Sequence, residues 1–251
     1  MNKPDWIIEV RDLTTGYSPE VPLLKNGNLG LGAKQAHAIV GANGTGKSTL
    51  MKTMLAFVEP LGGDVLLFNE SLHGKSRSKV NHLRKNIAVV WQKHNLVPRM
   101  SVLSNVIHGA FSRTNNPRVW FQGTAPEAMR KEAMDCLDRV GMGHHASRAA
   151  GRLSGGESQR VAIARALMQR PKAILADEPV ASLDPKVGKE VMDLFYDLVE
   201  SEGISLLYTS HNLEHAIEYS HCITALKKSG GTFEVASDQT SVKELHEIYN
   251  E

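Results

Sequence analysis

The chain lacks most of what marks a metal knuckle, a membrane span or a nucleic-acid reader. Only two of its 251 residues are cysteine, Cys136 and Cys222, and their spacing fits no metal site. They read as packing residues in a reducing compartment. Neither sign of charge dominates: 29 Lys plus Arg stand against 27 Asp plus Glu, a net +2, so there is no strong nucleic-acid footprint and no nucleic-acid partner is expected. No apolar run approaches the roughly 20 residues that span a bilayer, and Met1 to Asp5 leads into no signal-peptide core. The expectation is a soluble protein whose membrane role, if it has one, is exercised through partners. The length suits a large core, as one α/β domain with an inserted subdomain.

What is present centres on Gly41-Ala42-Asn43-Gly44-Thr45-Gly46-Lys47-Ser48, the phosphate-binding P-loop pattern. Before it, Ala36 to Val40 is short and apolar and reads as a buried strand; after it, Thr49 to Leu55 has apolar residues at helical spacing. The glycines let successive backbone N–H groups converge on an anion, and the following helix offers its unpaired N–H groups and positive dipole end. Lys47 supplies a mobile positive charge for the outer phosphates. Ser48 offers a hydroxyl to Mg²⁺, and Thr49 reaches towards an inner phosphate.

Upstream, Trp6 to Val10 reads as a strand and Thr14 to Pro19 as turn-rich, with Tyr17 open to two readings, a packing residue or a platform for a purine. Downstream, a turn at Leu61 to Asp64 leads into the strand Val65 to Phe68, and Asn69-Glu70 turns again. The basic stretch Lys75 to Lys85 reads as a solvated loop and helix surface. Ile87 to Trp91 is a strand ending at Gln92, whose amide could ligate Mg²⁺ or orient water. Glu127 to Val140 is amphipathic, with Met129, Ala133, Cys136, Leu137 and Val140 on one face. Ser112 to Phe121 is polar and turn-prone, and its final Trp120-Phe121 suits either a partner contact or a local satellite core.

Leu153-Ser154-Gly155-Gly156-Glu157 then opens another helix, with Ser154 as its cap. It is a second anion site. Ala173 to Ala176 is an apolar strand ending in Asp177-Glu178: the first suits a water-bridged place at Mg²⁺, the second a general base facing the attacking water. A helix with Val187, Val191, Leu194, Phe195 and Leu198 on one face, a strand from Ile204 to Thr209, a hairpin of Cys222 to Leu226 with Thr232 to Val235, and a helix from about Ser241 to Tyr249 complete the chain.

Taken in this order, the P-loop, Gln92, Leu153 to Glu157 and Asp177-Glu178 resemble an ATP-binding-cassette (ABC) ATPase along nearly the whole chain. Ser182-Leu183-Asp184 resembles that family's D-loop, His211 its switch histidine and Tyr17 its adenine-stacking aromatic. The resemblance implies an α/β P-loop fold of the ABC type with an N-terminal antiparallel β portion. It implies one domain over 1–251, with a catalytic core at 1–94 and 171–251 and a helical subdomain at 95–170 that carries the signature segment. It implies ATP and Mg²⁺ as ligands, the metal falling to Ser48, Gln92 and Asp177. Glu178 and His211 would be catalytic, and Gly41 to Thr49 would bind the nucleotide. It also implies a second copy placed head to tail, so that Ser154, Gly155, Gly156 and Glu157 approach the partner's ATP.

Glu157 and Trp91 depart mildly from the family pattern, where glutamine and phenylalanine are more frequent. Within the family, Asn95 to Leu103, the insertion around Trp120-Phe121 and Arg165 to Pro185 resemble the ATP-binding subunit of bacterial phosphonate or phosphite importers. That resemblance implies membrane permease subunits, an extracytoplasmic solute-binding protein acting through them, and a peripheral place on the cytoplasmic face of the cell membrane. The segment from Gln92 to Phe121 would dock the permease. An importer of another small polar solute and a soluble, non-transport ABC ATPase are the alternatives. A P-loop kinase has no need of Leu153 to Glu157 or of His211.

Overall fold

The computed structural model describes residues 5–250, so the reading of Met1 to Pro4 lies outside the described residues. In chain order it runs β1 (Trp6–Thr15), β2 (Leu24–Gly32), β3 (Ala36–Val40), α1 (Lys47–Met54), β4 (Gly62–Leu67), β5 (Glu70–Ser71), α2 (Arg77–Arg84) and β6 (Ile87–Val90). There follow α3 (Val102–Ile107), α4 (Glu127–Arg139), α5 (Gly155–Met168), β7 (Ala173–Ala176) and α6 (Pro185–Glu202). The chain ends with β8 (Ser205–Ser210), α7 (Leu213–Glu218), β9 (Cys222–Leu226), β10 (Thr232–Ala236) and α8 (Val242–Asn250).

The strands divide into two sheets among the described residues. One is antiparallel, in the order β2-β1-β4-β5; the other has the order β10-β9-β3-β8-β7-β6, parallel except for the β9-β10 hairpin. Period-2 alternation assigns the two faces of the larger sheet to different cores. Ile39, Leu175 and Leu207 face the antiparallel sheet and α1, packing with Ile8, Leu13, Leu31 and Met51. Their neighbours Val40, Ile174, Ala176, Leu206 and Tyr208 point the other way, into the helical side. Burying a side chain such as Leu207 contributes about 2 kcal/mol.

The helices α3, α4 and α5 share one continuous core with that second face and with α6, so residues 95–170 have no separate apolar centre. Their attachment is also polar. Arg165 of α5 donates to the backbone oxygens of Asn95 and His94 at 2.7 and 2.5 Å, fixing the turn that follows Gln92. Burial, and then the Arg165 charge, hold the His94 imidazole below its usual range. No helix among the described residues is long and apolar enough to cross a membrane.

Two local expectations need correction. Thr14 and Thr15 belong to β1, which runs through a register irregularity near Asp12 instead of ending in a turn at residue 14. Glu70 is paired in β5 with Leu67, and the left-handed residues that reverse the chain are Phe68 and Asn69. The structure also adds a strand that the sequence reading does not include, β2, which its composition conceals: Gly27, Gly30, Gly32, Asn26 and Asn28 are turn formers. Packing overrides propensity here. The Trp6 ring lies over the strand, and a Cβ on Gly30 would stand 2.6 Å from it. The Ser112 to Phe121 stretch forms short 3-10 turns, with Val119 buried beneath exposed Trp120 and Phe121.

Candidate functional site

The carboxyl ends of β3, β7 and β8 converge, as ligand sites in open parallel sheets do. Register brings this about, because β3 pairs with β8 and β8 with β7. From β3 the chain enters the loop Gly41 to Gly46, where Gly44 and Gly46 take left-handed φ values of 84° and 95°. Helix α1 then starts at Gly46 with no side chain capping its first amides, which leaves them directed at the loop. Lys47 is only 5% exposed. Its Nζ donates to Gly41 O at 2.9 Å and Ala42 O at 3.2 Å and lies 3.7 Å from Glu178 Oε1.

From β7 come Asp177 and Glu178. Asp177 Oδ1 accepts from Ser48 Oγ at 3.0 Å and from Thr209 Oγ1 at 2.8 Å. Glu178 has a left-handed φ of 46°, a conformation costly for a residue with a Cβ. Its N–H donates to the same Thr209 Oγ1 at 2.8 Å. Gln92 Nε2 reaches Glu178 Oε2 at 3.2 Å. One buried hydroxyl therefore fixes both acids, and sequence reading missed it. Register places it there, since Ala176 pairs with Tyr208 and sets Thr209 opposite Asp177, and a single sequence carries no signal of that pairing.

Two open cavities follow. One of about 230 Å³ is lined by Leu23, Asn43, Gly44, Gly46, Lys47, Ser48, Thr49 and Glu178. The other, of about 530 Å³, is lined by Ala42, Asn43, Gln92, Glu178, Ala181 and His211. The P-loop, Gln92, Glu178 and His211 thus share one cleft. Leu23 and Ala181 are additions to the sequence-derived set. Ser48, Gln92 and Asp177 offer a hydroxyl, an amide oxygen and a carboxylate, an all-oxygen set that fits Mg²⁺. The residues suit the ion.

Tyr17 is 70% exposed and lines neither cavity. The Ser154 to Glu157 segment also lies outside both. Ser154 caps α5 in a reciprocal box: its Oγ accepts from Glu157 N, and Glu157 Oε2 accepts from Ser154 N. Hydrogen bonding to Ser154, with lesser help from Arg148 and His145, holds the Glu157 carboxyl below its usual range. This segment packs on the start of α6. A Cβ on Gly156 would meet Val187 at 2.3 Å, and one on Gly155 would meet Leu183 at 3.2 Å. Asp184, the last residue of Ser182-Leu183-Asp184, caps α6 by accepting from Val187 N at 3.1 Å.

Cys136 is buried, as a packing residue should be. Cys222 has a more polar setting, since His37, Cys222 and Glu234 place ligand atoms within 4.8 Å of one another. Both ring nitrogens of His37 are engaged, Nδ1 with Gly30 O at 3.0 Å and Nε2 with Thr224 Oγ1 at 2.8 Å. Burial pushes the His37 pKa down to about 4. It is a satisfied core histidine.

Comparison with known proteins agrees with this geometry. Residues 24–181 match the family model described as ABC transporter. A phosphonates import ATP-binding protein of Oceanobacillus iheyensis is 37% identical over 97% of this chain and 95% of its own. A phosphite import ATP-binding protein of Stutzerimonas stutzeri is 35% identical over 98% of this chain and 88% of its own. Among solved structures, a dimeric bacterial ABC transporter cassette superposes with a TM-score of 0.79 at 31% identity, covering 92% of this chain and 98% of that one. With the cleft, the two carboxylates and the capped Ser154 segment in the family's order, the chain belongs to the ABC transporter family, as one of its ATPase subunits.

Proposed function

We propose that this chain is the ATP-hydrolysing subunit of an importer for phosphonate or phosphite, and that it works as a pair of identical chains. Each P-loop would be closed by the Ser154 to Glu157 segment of the other. One observation carries the reading: Lys47, Ser48, Gln92, Glu178 and His211 border one cleft while Ser154 to Glu157 do not. Each chain then holds two unlike halves of a site, which a head-to-tail pair completes. The dimeric cassette supports the pairing. The relatives named for phosphonates and phosphite import support the substrate class.

In this reading Gly41 to Thr49 cradle the triphosphate and Tyr17 stacks on the adenine. Ser48 and Gln92, with Asp177 through water, would hold Mg²⁺, which would supply charge neutralisation at the phosphates. Glu178 accepts a proton from the attacking water as its oxygen bonds to the γ-phosphorus and the bond to the bridging oxygen of ADP breaks. His211 contacts the γ-phosphate and the water, and Lys47 offsets the charge on the transferring group. Gln92 touches Glu178 and also opens the turn that Arg165 ties to α5. Movement of residues 95–170 against the sheet would then be felt at the cleft. The Gln92 to Phe121 segment is assigned to the permease, where Trp120 and Phe121, 60% and 68% exposed, await a partner. The solute-binding protein acts from the far side, through the permease, and this subunit sits peripherally on the cytoplasmic face against that permease.

The test is ATP turnover of the subunit purified with its permease, comparing empty binding protein with protein loaded with phosphite, a phosphonate or an amino acid. Stimulation by the phosphorus compounds alone is expected. Stimulation by the amino acid alone would keep the ATPase and discard the substrate, and failure to co-purify a permease would favour a non-transport ATPase.

A further inference from the structure

The reciprocal cap of α5 carries a charge it does not need. A glutamine in the Glu157 position would serve as well, because only a side-chain oxygen is required to accept from the Ser154 N–H. A carboxylate in this position has a cost in the proposed pair, where it stands in the same first helical turn as amides meant for a phosphate. Like charges repel, and a carboxylate on the helix start consumes part of the positive dipole end.

The structure supplies a counterweight. Glu157 Oε2 faces Ser154 N at 2.7 Å, while Oε1 lies 3.1 Å from His145 Nε2 and 3.5 Å from Arg148 Nη1. All three side chains are partly sheltered from solvent, so their interaction is screened less than that of a surface pair. The backbone presenting the two basic residues is itself fixed. Val102 N donates to Arg148 O and Leu103 N to Ala146 O, each at 2.9 Å, tying the segment to the start of α3. The His145 ring also rests against His144, with centroids 4.0 Å apart.

We infer that His145 and Arg148 are positioning residues for the Ser154 to Glu157 segment, both holding the Glu157 carboxylate and Arg148 offsetting its charge, so that the neighbouring amides receive the partner chain's ATP. The inference rests on the paired-chain reading. Neither His145 nor Arg148 lines the cavities at the P-loop of its own chain.

The experiment is a comparison in two backgrounds. Arg148→Ala combined with His145→Ala should lower kcat about tenfold, whereas the same pair introduced beside Glu157→Gln should cost less than about twofold relative to Glu157→Gln alone. Affinity of the single chain for ATP, measured below the concentration at which chains pair, should stay unchanged throughout and reports that the P-loop remains folded. Arg148→Gln repeats the comparison with the charge removed and the side-chain bulk largely kept. Equal losses in both backgrounds would show that the two residues act elsewhere, and no loss in either would show that the charge needs no partner. Either result overturns the inference. A Glu178→Gln control that fails to pair with ATP would instead remove the paired-chain reading, and this inference with it. A control that pairs while the Arg148 and His145 changes do nothing overturns the inference alone.

Discussion

Helix α1 begins at Gly46 with its first amides uncapped, whereas α5 begins at Ser154 with the Ser154 and Glu157 side chains closing a reciprocal box. In the proposed reading both starts belong to anion-binding segments, yet only one of them is satisfied by its own chain. Unpaired N–H groups at a helix start are stabilised by an anion, so α1 is completed by its ligand. The α5 start is finished as a structural element, with the Gly155 and Gly156 amides outside the box. The contrast extends to the surroundings. Around α1 stand Lys47, Glu178, Asp177 and Gln92; around α5 stand the residues that pack it on α6 and hold its cap. A strong primary site and a preformed, weak auxiliary one is what a shared composite site requires.

The largest effect expected from breaking this contrast comes on the α1 side. Lys47→Ala removes the cation held at the loop carbonyls, and nucleotide affinity and turnover should both fall about a hundredfold or more, measured by equilibrium binding and steady-state kinetics. Unchanged turnover would refute the assignment of the cradle. Thr209→Val keeps the shape of the strand end but releases Asp177 and Glu178 together, and kcat should drop about tenfold with a smaller change in nucleotide affinity. An unaffected kcat would reduce Thr209 to a packing residue.

Changes on the α5 side are expected to be smaller and of another kind. Ser154→Ala should cost about 1 kcal/mol of stability through the lost cap and lower turnover of the pair, while the single chain binds ATP as before. A loss of single-chain affinity would erase the distinction between the two helix starts.

A control lies outside both. His37 is buried neutral with its pKa pushed down to about 4. Its unfolded form protonates near the ordinary value of about 6.5, so the stability it contributes is complete above that pH and is lost as pH falls towards 4. Chemical denaturation should show up to about 3 kcal/mol of destabilisation across that window, absent in His37→Gln. A pH-independent midpoint would show that the ring is solvated.

The same contrast explains how much the sequence revealed. The P-loop was readable because its spacing is dictated by one ligand, and the paired acids because they follow an apolar strand. The Ser154 cap was readable from local hydrogen-bonding rules. Thr209 was not, because its role depends on which strand lies beside β7, and pairing is invisible in a single sequence. β2 was hidden for a similar reason: its glycines look like turns until the Trp6 ring is seen above them. The continuity of the helical core with the sheet was hidden as well, since an amphipathic pattern says which face is buried but not against what.

The composite site is tested most directly by the mass of Glu178→Gln in solution with saturating ATP and Mg²⁺. Removing the base should slow hydrolysis about a thousandfold while leaving the phosphate cradle intact. The account predicts a stable dimer that reverts to monomer when ATP is withdrawn. A Glu178→Gln chain that binds ATP and stays monomeric would contradict it.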